Sequence, residues 1–129
     1  MNENISIEDL YSDTGSFDEQ AVLRTLRGKI TFSTENAIQF AIDPTELKTR
    51  EAILLYILAK KALKVNQKID DDTITSAEVT EKTKLNNNSV RSTIKRLKEK
   101  KLIMPSGIGY EIPTFKVAEV LDLLGGNQD

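Results

Sequence analysis

Asn86 to Ile103 reads NNNSVRSTIKRLKEKKLI. Three asparagines and a serine, residue types that satisfy the first free N–H groups of a helix, lead into an amphipathic run. Five basic residues fall between Arg91 and Lys100, and the stretch closes on the apolar pair Leu102-Ile103. At about 100° per residue, Ile94 and Leu97 fall on either side of Val90, so these three form an inward face. The opposite face is centred on Ser92 and Glu99, with Asn88 and Lys95 beside them and Arg91 and Arg96 on the flanks. Two uses fit this pattern. One is a solvated helix whose lysine stems lie along the surface. The other is a helix that lies on a nucleic acid.

The neighbours of this stretch set its context. Downstream, LIMPSGIGYEI predicts strand, turn at Pro105 to Gly109, and strand. Upstream, Ser76 is placed to cap AEVTEKTKL, with Glu78 and Glu81 near the start and Lys82 and Lys84 near the end, as the helix dipole prefers. Glu78 and Lys82 stand at i,i+4 and predict a helix-surface pair. Thr73-Ile74-Thr75 predicts a very short strand, and Asp70-Asp71-Asp72 a solvated loop that lacks the glycine and distal glutamate of a calcium loop. Asp43-Pro44-Thr45 opens a helix from Thr45 or Thr49 to about Val65. Its centre, Ala52 to Ala59, is apolar on every side and must be covered on every side, as the central helix or with one face on a second subunit.

The ends are simpler. Asp18 as N-cap, Val22 and Leu26 at helical spacing and Gly28 as a stop predict a short helix. Ile30 and Phe32, then Ile38, Phe40 and Ile42, alternate as in two strands with a turn near Thr34 to Asn36. Pro113-Thr114 opens a last helix with Val117, Val120, Leu121 and Leu124 on one stripe, ended by Gly125-Gly126.

Composition narrows the function classes. A chain of 129 residues with 39% hydrophobic and 29% charged residues fits one ordinary globular domain. Cysteine and histidine are both absent, which removes disulfides, thiolate chemistry, the commonest metal ligand and the commonest general base. The remaining Ser, Lys, Tyr and carboxylate groups form no recognisable catalytic constellation, so no enzyme, metal, cofactor or small-molecule ligand is expected. The longest apolar run, AILLYILA, is too short to span a bilayer, and MNENISIEDL is too acidic for a signal peptide, so the cytoplasm is the expected compartment. The net charge of −2 weighs against a nucleic-acid partner. Its distribution weighs for one: Lys82 to Lys101 carries eight basic residues against Glu99 alone, whereas Met1 to Gln20 is acidic with no basic residue.

The order of elements from Thr45 onward, carried by ITSAEVTEKTKLNNNSVRSTIKRLKEKKLIMPSGIGYEI, is similar to the winged helix-turn-helix domain. The resemblance covers roughly residues 46 to 112, is one of superfamily pattern, and leaves residues 1 to 44 without a closer relative. Joined to the residue patterns on either side, it gives the expectation of an α+β chain: an acidic flexible arm over 1–17, a short helix and β-hairpin over 18–44, the winged helix-turn-helix that the resemblance implies over 45–112, and a C-terminal helix and tail over 113–129. The implied function is sequence-specific double-stranded DNA binding by a transcriptional regulator, with the helix at about 88–101 in the major groove.

Asn88, Ser89, Arg91, Ser92 and Lys95 are then the candidates for base edges, and Lys82, Lys84, Arg96, Lys98 and Lys100 those for phosphates. Asn88 can pair with adenine and Arg91 with guanine, each pairing discriminating by about 1–3 kcal/mol. The free N–H groups near Asn88 and Ser89 are a further phosphate seat. Glu99 on the outer face and a wing tip without Lys or Arg fit this less well, and Tyr110 either touches the DNA backbone or packs on its own domain. A homodimer through the C-terminal helix or the helix at 49–65 would set two reading helices about 34 Å apart. The alternative is a winged-helix protein–protein module in a larger assembly without DNA contact, which the acidic arm, bare wing and low pI favour. A third arrangement has the acidic arm covering the basic helix.

Overall fold

The computed structural model describes residues 17 to 125. The acidic arm, apart from Phe17, and residues 126–129 lie outside them. The described chain is α+β, with five α-helices and two small antiparallel hairpins.

Helix α1 (Glu19–Leu26) starts where expected, with the Asp18 carboxylate accepting the Ala21 N–H at 3.1 Å, and buries Val22 and Leu26. Gly28, at φ +82°, turns the chain into strand β1 (Ile30–Phe32), which pairs antiparallel with β2 (Ile38–Phe40). The Ser33 hydroxyl accepts the N–H groups of Glu35 and Ala37 and shapes the turn between them. Only part of the expected apolar face is used: Ile30 and Ile38 are buried, while Phe32 and Ile42 stay more than a third exposed. Strands of three residues reach the core with one end only.

Asp43 does cap a turn, but a short 3-10 one, Pro44–Glu46. Helix α2 (Thr49–Val65) begins after it, at the later of the two expected starts. Every residue from Ala52 to Ala59 is buried, because α1, both strands of the first hairpin, α3 (Ser76–Thr83) and α4 (Asn87–Glu99) surround it. The chain itself supplies all the cover that this greasy segment requires. A single core cluster runs from Ala21 through α2 to Leu121.

The loop after α2 differs from expectation. Asp72 is not solvated: it is 4% exposed, with its carboxylate 4.0 Å from Lys61 Nζ and 3.6 Å from Lys64 Nζ. Burial lowers the Lys61 pKa from its ordinary value, and the Asp72 carboxylate opposes that shift. Glu78 makes no surface pair with Lys82. Its Oε2 instead accepts the Tyr56 hydroxyl at 2.6 Å and the Lys60 ammonium at 2.9 Å, and Lys60 also donates to the Thr73 carbonyl. These bonds lock α3 onto α2. Burial, then Glu78, pushes the Tyr56 phenol well above its usual range.

The cap of α3 is Thr75, whose hydroxyl accepts the Glu78 N–H, and not Ser76. Ile74 explains the shift by one. It forms no full strand, but its N–H and carbonyl pair with Tyr110 at 2.8 and 2.9 Å, leaving Thr75 extended in the conformation an N-cap needs. Strands β3 (Met104–Ser106) and β4 (Gly109–Glu111) form the second hairpin, and its turn is narrower than expected, only Gly107-Ile108. Leu102 and Ile103 are buried ahead of it and belong to no strand. After a 3-10 turn, Thr114–Lys116, helix α5 (Val117–Leu123) lays Val117, Val120 and Leu121 into the core beside α1. Three of the four residues of the expected stripe are thus buried within the chain, and Leu124 is half-buried.

Candidate nucleic-acid interface

Helix α4 is built by its first and last turns. At the start, one oxygen of Asn86 accepts the N–H groups of both Asn88 and Ser89, at 2.9 and 3.1 Å. The phosphate seat expected there is therefore already filled by the protein's own cap. The Asn87 side chain accepts the Thr80 hydroxyl at 3.1 Å and ties α4 to α3. At the end, Lys101 takes φ +63° and the Leu102 N–H bonds back to the Leu97 carbonyl, the 6→1 closure that stops a helix. The helix thus ends at Glu99, two residues before the expected limit, with Lys100 as its C-cap.

Val90, Ile94 and Leu97 are buried, as the wheel requires. Thr93 joins them, which the apolar pattern alone did not reveal. Its hydroxyl accepts Arg96 Nη2 at 3.3 Å and steadies that guanidinium over the helix flank. Asn88, Ser89, Arg91, Ser92, Lys95, Lys82, Lys84, Arg96, Lys98 and Lys100 are all exposed. The ion pairs of the described residues involve Lys60, Lys61, Lys64 and Lys116, so none of the cations expected at a phosphate or base has a carboxylate partner.

Among the described residues, open clefts lie on both sides of α4. One, of about 760 Å³, lies between the helix and the second hairpin and brings Asn88, Arg91, Ser92, Lys95 and Lys98 together with Tyr110. Tyr110 is half-buried and its backbone is held by Ile74, so the hairpin is fixed against the helix. The other cleft, of about 380 Å³, gathers Ser89, Ser92, Arg96 and Lys100 with Lys48, Thr49 and Arg50 at the start of α2. Four of the five base-edge candidates thus share the hairpin side with Lys98, whereas Ser89, Arg96 and Lys100 face the far side. Lys82 and Lys84, at the end of α3, line neither cleft. Lys48 and Arg50 are the residues sequence reading missed: only the packing of α2 on α4 brings them within reach.

The hairpin tip carries no cation. It presents Ile108, 94% exposed, and Phe115 from the following turn is 55% exposed. Among the described residues no group of His, Cys, Asp and Glu is arranged to hold a metal ion, and no helix is long and apolar enough to cross a membrane. Comparison with protein-family models, with curated proteins and with solved structures gives no match for this chain in any of the three.

Proposed function

We propose that this chain is a sequence-specific double-stranded DNA-binding protein, a transcriptional regulator whose reading head is a winged helix-turn-helix. In this reading α2, α3 and α4 are its three helices, and the β3–β4 hairpin is its wing. The observation that carries the proposal is the exposed face of α4. Asn88, Arg91, Ser92 and Lys95 share one cleft, and among the described residues no carboxylate pairs with the cations there or on the flanks. Short polar and guanidinium groups in the first two turns suit base edges, and flanking lysines suit phosphates. The chain's net charge of −2 does not oppose this, since phosphates respond to the local field. A dimer is not required for folding, because Ala52–Ala59 and the α5 stripe are covered within one chain.

The test is fluorescence anisotropy with duplex DNA of random and then selected sequence across a salt series. Binding is expected to weaken steeply as salt rises. Arg91→Ala should relax discrimination at one base position, costing about 1–3 kcal/mol on the preferred site, while Lys98→Ala should weaken all sequences alike. Absence of binding at low salt would overturn the proposal. It would favour the second reading, a protein-interaction module, for which exposed Ile108 and Phe115 provide apolar surface. An apolar interface would respond little to salt.

A further inference from the structure

We infer that the cleft between the start of α2 and the far flank of α4 is a phosphate-binding site. Lys48, Arg50, Arg96 and Lys100 converge on it with the hydroxyls of Ser89 and Ser92, and no acidic residue lines it. Among the described residues none of the four cations has a carboxylate partner. Gathering like charges without a counter-ion is unfavourable, and a bound anion reverses the sign of that interaction. Arg50 and Arg96 both line the cleft, and a guanidinium binds phosphate through paired N–H groups. Arg50 Nε itself is closed to solvent and has no hydrogen-bond partner among the described residues.

The end of α2 contributes as well. This helix has 17 residues, and its N-cap is Lys48, which has no side-chain oxygen to offer the first turn. Glu51 accepts the Lys48 N–H at 3.3 Å, and no side chain caps Thr49 or Arg50. The first-turn N–H groups of Thr49 and Arg50 thus lie beside the cations, with the Glu51 carboxylate turned back onto the Lys48 N–H, whereas the first-turn N–H groups of α4 are taken by Asn86. The site needs a tetrahedral, doubly or singly charged phosphate, and does not need α4 to enter a groove. Two sources share that chemistry: a backbone phosphate of duplex DNA seated on α4, and a free phosphorylated small molecule.

The experiment uses the full chain. Inorganic phosphate is titrated at constant ionic strength while backbone amide shifts are followed by NMR. Saturable shifts are expected at Thr49, Arg50 and Ser92. The double variant Lys48→Gln/Lys100→Gln replaces two exposed side chains and should weaken phosphate by about tenfold or more, the worth of one charge-assisted hydrogen bond. Arg50→Gln should do the same, and the double variant decides the matter if Arg50→Gln fails to fold. Shifts spread over Lys82, Lys95 and Lys98, or unchanged in the double variant, would overturn the inference. Salt dependence on duplex DNA then separates the sources. A log–log slope reduced by about 1 or more in the double variant identifies a DNA phosphate, and an unchanged slope identifies a free phosphorylated ligand. Arg91→Ala/Lys95→Ala should leave the phosphate titration intact, so loss of DNA binding there tests the groove reading alone.

Discussion

Replacing Asn86 with alanine removes the one oxygen that receives the N–H groups of Asn88 and Ser89, at 2.9 and 3.1 Å. Asn86 is exposed, so water takes over both N–H groups in the variant, and the cost is that of a lost cap, about 1 kcal/mol, and not of two buried bonds. For a chain of this size that corresponds to a fall in Tm of roughly 3–5 °C. Asn86→Asp keeps an acceptor in the same place and adds a negative charge at the positive end of α4. It should match the native protein or exceed it by about 0.3–1 kcal/mol at pH 7 and low salt. The same charge stands beside Asn88, at the proposed DNA face, and should weaken duplex binding even as it stabilises the fold. Urea unfolding followed by circular dichroism, with the midpoint shifting at constant m, gives the stability arm, and anisotropy gives the binding arm. If the aspartate variant proves as unstable as the alanine variant, the cap does not hold the start of α4 and the reasoning fails.

Gly109→Ala places a methyl group against the Ile74 carbonyl, a backbone atom that cannot step aside without breaking the Ile74–Tyr110 pairing. A loss of about 2–3 kcal/mol is expected, against about 1 kcal/mol for Gly107→Ala, which has open space and only a positive φ to contend with; equal losses in urea unfolding would contradict this. The raised pKa of Tyr56 makes the second case. Its phenol stays neutral in the fold while the unfolded chain ionises above about pH 10, so this contribution is intact below that pH and falls as pH rises, by up to about 1.4 kcal/mol per unit. Tyr56→Phe should remove that part of the alkaline slope, and identical slopes for the two proteins would refute it.

Much of the fold was legible because local rules and packing agree. Val90, Ile94 and Leu97 face inward, Asp18 starts α1, and the apolar run Ala52–Ala59 is central, whereas the asparagine run left open which of its members caps α4, and the structure gives Asn86. Three of the failures share a cause: a partner distant in sequence displaced a near one. Glu78 had Lys82 one helical turn away, yet Tyr56 and Lys60 on α2 offer a less hydrated site and took its carboxylate. Asp72 looked like part of a solvated acidic loop until Lys61, on the preceding helix, was packed against it. The cap of α3 moved from Ser76 to Thr75 because Tyr110 fixed the residue before it. At the candidate site, the ten residues read from α3 and α4 are all exposed, but their division between two clefts, and the part played by Lys48 and Arg50, depend on how α2 crosses α4.

The complete enclosure of α2 bears on how the chain can be cut. Residues 17–44 have a short helix and three-residue strands, whose buried side chains lean on α2, and the segment from α3 to α5 closes around the other side of the same helix. Neither flank retains a core once α2 is removed, and α2 alone would expose its apolar surface on every side. A nick in the loop at 66–72 should therefore leave two pieces that reassemble as one body or not at all, and the amides of Ile53 to Leu58 should be the last to exchange with deuterated water, since releasing them requires the whole assembly to open.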